Sequence, residues 1–206
     1  MLTPTAARAL WVALLENAAR IVVDADALFP SPRAQSLIVL AQEEVGKASW
    51  VYRAFWNAWS IGGETTLEVP ELRKGAVNHL AKLIEAADRA TVLVEIPGEP
   101  NSIEVELAKA HAPEFLAAYF KKLAQEDNTA KQHGFYVDLQ PDGSFTLPHA
   151  TERPLLRAQI WETADMINWF LTEDHLLASM GGHWPISPTE EIEALLAAVL
   201  AQGPDN

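Results

Sequence analysis

The chain has 206 residues, of which 49% are hydrophobic, and it contains no cysteine. This length predicts one domain, over residues 1–206, and the composition excludes disulfides, thiolate zinc sites and cysteine nucleophiles. The formal charge of -13 excludes broad binding to nucleic acid or to an anionic membrane, so any contact with RNA requires a local cationic patch.

The first two predicted helices both begin with a capping hydroxyl followed by proline. Thr3-Pro4 opens a helix whose apolar spacing continues to Phe29, and Ser31-Pro32 opens a second helix that runs to about Trp59. On the first helix, Asn17 lies at the edge of the apolar stripe, where it would face either a polar pocket or solvent. We take Asn17 as a candidate substrate-binding residue.

The second helix carries a carboxylate within its apolar stripe. The stripe consists of Leu37, Ala41, Glu44, Ala48, Val51 and Phe55. Glu44 is therefore expected to be buried, and Lys47 is the nearest candidate for a charge partner. The pair is either a structural ion pair at a helix crossing or part of a polar site. Gly46, which costs about 1 kcal/mol in a helix interior, indicates that another backbone packs closely there.

A third helix is predicted from near Pro70 to Ala90, with His79 on its apolar stripe and Lys82 on the shoulder of that stripe. Both side chains are expected to look into one groove. A lone histidine at such a position is more often a satisfied core residue than a functional one. Arg73 precedes His79 with five residues between them.

Turn residues separate this part from the next helix and from a short hairpin. Asn101 and Glu104 resemble a capping box, and a helix that starts or kinks at Pro113 continues to about Gln132. Residues 135–147 alternate in hydrophobicity around a Pro-Asp-Gly turn and predict a β-hairpin. Two short strands are not stable alone, so we expect this hairpin to lie on the bundle.

Two further helices, over about 154–178 and from 187 to 203, complete an all-α prediction. Neither a repeat of 20 to 50 residues nor a low-complexity linker occurs. The fold expected is a bundle of about five to seven helices with a small hairpin. No apolar run of about 18 residues and no leader pattern occur, which predicts a cytoplasmic protein without a membrane anchor.

Motif spacing argues against several kinds of site. The chain lacks Glu-x-x-His, His-x-x-x-His, a Gly-rich phosphate loop and a Gly-x-Ser-x-Gly elbow, so neither a metal nor a cofactor is predicted. The remaining candidates for catalysis are Glu44, Lys47, Arg73, His79 and Lys82. Histidine as general acid or base, with cations to stabilise phosphorane charge, is the material for metal-independent RNA cleavage. The same residues would equally form a buried polar network in a binding protein.

Residues 36–48 resemble the "small-Leu-apolar-apolar-Leu-Ala-x-Glu-Glu-apolar-Gly-Lys-Ala" signature of the AbiV family of phage abortive-infection proteins. Residues 79–82 resemble the His-x-x-Lys element of that family, and residues 131–139 its "Lys-x-Arg-Gly-Leu-Tyr-Val-Asp" segment. The resemblance covers about residues 5–170. It adds Lys131 and Tyr136 as candidate substrate-binding residues, while His133 stands where the family usually carries arginine.

This resemblance implies a HEPN-type helical bundle, commonly a homodimer, with a role in antiviral defence or in a toxin-like shutdown of translation. Many HEPN proteins are ribonucleases that use Arg-x(4–6)-His, and Arg73 and His79 meet that spacing. On one continuous helix, however, residues six apart point about 120° away from each other. Two interpretations stay open: a ribonuclease with RNA as substrate, or a non-catalytic module that acts through a phage or host protein.

Overall fold

Seven helices and one small hairpin build the described part of the chain. The computed structural model describes residues 1–74, 78–93, 113–139, 141–149, 152–181 and 183–204. The elements in chain order are α1 (Pro4–Leu28), α2 (Pro32–Ile61), α3 (Pro70–Lys74), α4 (His79–Leu93), α5 (Pro113–Phe135), β1 (Asp138–Leu139), β2 (Phe145–Thr146), α6 (Arg153–Ser179) and α7 (Glu190–Gln202). The predicted all-α bundle with a hairpin is confirmed.

The ends of the two longest predicted helices follow from local chemistry. Thr3 Oγ1 accepts a hydrogen bond from Ala6 N at 3.1 Å, and Ser31 Oγ accepts one from Arg33 N at 3.3 Å. Each cap is followed by a proline, which lacks the N–H that would otherwise need a partner. α2 ends at Gly62, whose φ of 69° lies in the left-handed region that favours glycine.

α2 is the central helix, because α1 covers one side of it and α4 and α5 cover the other. Ile38, Ala41 and Ala48 belong to the main core with residues of α1. Val39 instead packs with Leu83 of α4 and Ala124 of α5. A helix covered on both sides needs two buried stripes, and the second one carries the candidate site.

The predicted third helix is two helices. α3 ends at Lys74 and α4 begins at His79, where Asn78 Oδ1 accepts a hydrogen bond from Ala81 N at 3.2 Å. An asparagine cap of this kind competes with continued helix and starts a new one. His79 is therefore the first residue of a helix rather than a mid-helix residue. The predicted capping box at Asn101 and Glu104 lies outside the described residues.

A buried ion pair among aromatic rings joins α1 to α6. The Arg8 guanidinium of α1 pairs with Asp174 of α6, and Trp184 Nε1 donates to the same carboxylate at 2.8 Å. The guanidinium also lies 4.6 Å from the ring centroid of Trp11 and 4.8 Å from that of Trp59. These contacts fix α6 against α1. Within the described ranges, no helix has an apolar run long enough to cross a bilayer.

The hairpin is confirmed as two antiparallel strands, with Asp138 opposite Thr146 and Leu139 opposite Phe145. Its base is tied to the end of α5, because His149 N donates to the His133 carbonyl oxygen at 3.0 Å. The side chains of Leu139 and Phe145 are nevertheless exposed. The hydrogen bond to His133 is the described contact that holds the hairpin to the bundle.

Candidate functional site

Glu43 is a buried carboxylate at the junction of α2, α4 and α5, with 3% of its surface exposed. Its oxygens lie 2.7 Å from Lys82 Nζ of α4 and 2.7 Å from Lys131 Nζ of α5. His79 Nδ1, at the start of α4, lies 2.8 Å from both oxygens. One carboxylate thus joins three basic side chains from two neighbouring helices. We call these four residues the Glu43 cluster.

Small residues on α2 and α5 let the helices come close enough for these contacts. A Cβ on Gly46 would overlap the backbone carbonyl of Lys82, so α4 crosses α2 at this point. A Cβ on Gly134 of α5 would overlap Ser36 Oγ, which itself donates to the Lys131 carbonyl oxygen at 2.7 Å. The close backbone approach predicted from Gly46 is confirmed. It places Lys82 within contact distance of Glu43.

The charge of Glu43 is stabilised despite its burial. Burial by itself would raise the pKa of this carboxyl, but hydrogen bonds from Lys131, Lys82 and His79 together lower the pKa below its ordinary value. Glu43 is therefore ionised at neutral pH. Lys82 is buried and Lys131 is mostly buried, and Glu43 offsets the charge of both ammonium groups at 2.7 Å.

His79 is the member of the Glu43 cluster that reaches solvent, with 51% of its side chain exposed. An ionised carboxylate can only accept hydrogen bonds, so the Glu43 contact assigns the imidazole proton to Nδ1. In the neutral ring, Nε2 then carries the lone pair. The expected core-facing position of His79 is wrong, because α4 begins at this residue and exposes it.

Glu44, the residue expected to be buried, is the neighbour of the buried carboxylate. Glu44 is partly exposed and forms a separate ion pair with Lys47, the predicted partner. The error came from assuming one apolar stripe on a helix that has two. A second stripe at the same helical spacing was the available signal; it consists of Ser36, Val39, Glu43, Gly46 and Trp50.

The remaining candidates divide between the cluster and the surface. Of the proposed substrate-binding residues, Lys131 contacts Glu43, whereas Asn17 is exposed on α1 and Tyr136 is exposed beyond α5. Arg73 lies on α3, where its guanidinium is 3.0 Å from Glu68 and exposed. The described contacts of Glu43 thus include neither Arg73, Asn17 nor Tyr136.

A second acidic side chain, Asp127, lies on α5 one turn before Lys131. Burial raises the pKa of its carboxyl from 3.8 to about 6, and the charge of Glu126 adds to this effect. Since the folded state then binds the proton more tightly, this group opposes folding increasingly as pH rises from about 4 to 6 and fully above that. We expect Asp127→Asn to stabilise the protein by about 1 to 2 kcal/mol at pH 8.

Urea unfolding at pH 8 and pH 5 measures this effect. The gain from Asp127→Asn should be smaller at pH 5, where the wild-type carboxyl is largely protonated. Asp24→Asn, at an exposed position of α1, is the matched control and should change stability little at either pH. An equal gain at both pH values would contradict the assigned pKa.

His79 alone brings the otherwise buried Glu43 cluster to the surface. One cavity of about 470 Å³ lies between α5 and the end of the hairpin, and another of about 590 Å³ lies between α1 and residues 183–188. Neither is lined by Glu43 or His79. In the described part of the chain, no group of three histidine or acidic side chains is arranged to hold a metal ion.

Comparison with known proteins gives one result for this chain. A HEPN family model described as AbiV matches residues 6–169, a span that contains Glu43, His79, Lys82 and Lys131. The searches of curated proteins and of solved structures found no match. Because the family model covers most of the 206 residues, the chain belongs to the AbiV family of HEPN proteins.

Proposed function

We propose that this protein acts in antiphage defence, by abortive infection, as a cytoplasmic HEPN-type endoribonuclease in which His79 is the general base. Membership of the AbiV family supports the defence role. The observation that carries the ribonuclease proposal is the pairing of half-exposed His79 with buried, ionised Glu43. A carboxylate behind a histidine orients the ring and stabilises the imidazolium that forms during proton transfer.

The proposed reaction begins when His79 Nε2 removes the proton from an RNA 2′-hydroxyl. The 2′ oxygen then attacks the adjacent phosphorus, the bond from phosphorus to the 5′ oxygen breaks, and the leaving oxygen takes a proton from an imidazolium. The products are a 2′,3′-cyclic phosphate and a 5′-hydroxyl. Each atom and proton is accounted for without a metal ion as co-reactant.

Lys82 and Lys131 act in this proposal as positioning residues. Both are buried against Glu43 and hold its carboxylate behind His79. Arg73 and Lys47 pair with Glu68 and Glu44, and neither contacts Glu43. The proposed enzyme is a homodimer in which a second copy brings its own His79 and basic neighbours to a shared groove. Cations from both copies would stabilise the phosphorane charge.

The test is His79→Ala. We expect this change to reduce RNA cleavage and toxicity on the order of 100-fold or more, since a positioned general base contributes about that much. Because half of the side chain is exposed, the free energy of unfolding should fall by only about 1 kcal/mol. RNA integrity and growth after induction, cleavage by purified protein in the presence of a chelator, and urea unfolding measure the three quantities.

His175→Ala is the matched control, because His175 is another half-exposed histidine beside a carboxylate, Glu193, on α6 and α7. It should keep full activity. Cleavage that persists in His79→Ala, or that is lost equally in both variants, would refute the assignment of His79 as general base.

A second candidate function is a non-catalytic helical module that acts through a phage or host protein. The contacts of Glu43 favour it, since two lysines from neighbouring helices on one buried carboxylate are enough to fix the packing of α2, α4 and α5. In that case wild-type protein would leave RNA intact, and His79→Ala would reduce stability without a specific effect on RNA.

A further inference from the structure

One face of α5 lines a groove with residues of α2 and of the chain that follows the hairpin. The α5 residues in this lining recur at intervals of three or four, which places them on one side of the helix; they include Lys122, Gln125, Glu126, Thr129 and His133. Gln35 of α2, which is buried, and His149 complete a cavity of about 470 Å³. We call this cavity the α5 groove.

Two imidazole rings form a flat part of the wall of the α5 groove. The ring centroids of His133 and His149 lie 4.6 Å apart, and the ring planes are inclined by 30°. The backbone holds this arrangement, because His149 N donates to the His133 carbonyl oxygen at 3.0 Å. His149 is exposed, so its ring is accessible to a third planar group. Imidazole and aromatic side chains stack on unpaired nucleobases in this way.

The polar groups of the α5 groove suit a neutral ligand rather than an ion. Lys122 and Glu126 carry opposite charges, and Lys122 Nζ lies 3.7 Å from Glu126 Oε1. Gln125 is exposed, and its amide offers both donors and an acceptor. Thr129 Oγ1 donates to the Gln125 carbonyl oxygen at 2.9 Å, which leaves the lone pairs of the hydroxyl as acceptors. The edge of a nucleobase presents complementary donors and acceptors on an uncharged, planar ring.

We propose that the α5 groove binds one unpaired base of a single-stranded RNA, stacked on His149 and hydrogen-bonded by Gln125. The cavity volume lies within the roughly 300 to 1,000 Å³ usual for small-ligand sites. Gln35 and Glu43 are eight residues apart on α2, or about 12 Å along the helix axis. A strand with one base in the groove therefore reaches His79 with a phosphate a few nucleotides away. This inference rests on the proposed ribonuclease and names a subsite for its substrate.

A base fits the α5 groove better than a phosphate or a protein segment does. Lys122 is offset by Glu126 and the chain has a net charge of -13, so a phosphate gains little there. An apolar side chain of a protein would leave the amide of Gln125 and the imidazoles without hydrogen-bond partners. Stacking on a flat ring is independent of net charge and accepts every base.

Binding of an RNA that cannot be cut tests the inference. A labelled, mixed-sequence 2′-O-methyl RNA lacks the 2′-hydroxyl nucleophile, and the same backbone without bases is its control. We expect wild-type protein to prefer the oligomer that carries bases, as measured by fluorescence anisotropy. His149→Ala and Gln125→Ala should each weaken binding of that oligomer on the order of 10-fold and leave binding of the abasic one unchanged.

Two further variants separate stacking from other effects. His149→Phe keeps a flat ring and should bind as the wild type does, whereas a loss as large as that of His149→Ala would contradict stacking. His175→Ala removes a half-exposed histidine of α6 and should not change the affinity. Thermal melting should be alike in all variants, because His149, Gln125 and His175 are not buried.

The outcomes for the α5 groove and for His79 are distinguishable. Equal affinity for the two oligomers, unchanged affinity in both alanine variants, or no RNA binding at all would each overturn the base-binding groove. Base-dependent binding without cleavage of ordinary RNA would refute the ribonuclease and leave the groove standing. Cleavage whose KM is unaffected by His149→Ala would overturn the groove and leave the role of His79 intact.

Discussion

Glu43→Gln is expected to lower the free energy of unfolding by about 3 to 5 kcal/mol, the usual cost of removing one partner from a buried ion pair. Glutamine has the same shape but no charge, so Lys82 and Lys131 would both lose the carboxylate that lies 2.7 Å from each ammonium group. Glu44→Gln, the adjacent substitution in the same helix, removes a partly exposed charge and should cost less than about 1 kcal/mol. Urea unfolding followed by tryptophan fluorescence gives both values.

The pH dependence of the stability lost in Glu43→Gln tests whether the loss is electrostatic. Because the folded-state pKa of Glu43 is lowered, its contribution is fully present above the ordinary carboxyl pKa of 4.5 and is lost as pH falls through the folded value. The difference in the free energy of unfolding between wild type and Glu43→Gln should therefore become smaller as the pH falls. Adding Lys82→Met to Glu43→Gln should recover part of the lost stability, because one of the two ammonium groups that Glu43 neutralises is then removed. If Glu43→Gln and Glu44→Gln lower the free energy of unfolding equally, the buried position of Glu43 is contradicted.

Gly46→Ala is expected to destabilise the protein by about 3 kcal/mol, although alanine is the better helix former by about 1 kcal/mol. The added methyl group would overlap the backbone carbonyl of Lys82. A backbone atom cannot rotate away as the end of a side chain can, so α2 and α4 would have to separate. That movement would also draw Lys82 away from Glu43.

Gly63→Ala is the matched substitution, since a Cβ there would lie 3.7 Å from the nearest atom of Ala58, an ordinary contact. It should change stability by less than about 1 kcal/mol. Thermal melting and urea unfolding of both variants measure the difference. A neutral or stabilising effect of Gly46→Ala would mean that the two helices are further apart than the structure shows.

The hairpin shows where prediction from the sequence succeeded and where it failed. Alternating side chains around Pro-Asp-Gly predicted its two strands, because turn chemistry and strand alternation are local properties. Which face of the hairpin lies nearer the bundle was not predicted. That choice depends on how residues 133 and 149 anchor the hairpin to α5, and no local pattern records such a contact.

The sequence by itself determined the helical class, the helix starts at Thr3 and Ser31, and the close backbone contact at Gly46. Each of these depends on a residue and its nearest neighbours along the chain. The helix starts follow from a hydroxyl next to a proline, and the close contact follows from a glycine inside a helix, where alanine would be more stable. Helical spacing also predicted that Lys47 would pair with Glu44.

The tertiary structure alone decided which of two adjacent glutamates is buried. Glu43 and Glu44 differ by one position along α2, and either could be the buried one until the second covered side of that helix is known. Packing of α4 and α5 on that side brings Lys82, Lys131 and His79 to Glu43 and leaves Arg73 outside the cluster. A buried charge is stable only where partners from distant parts of the chain meet it, so its position is a property of the packed helices.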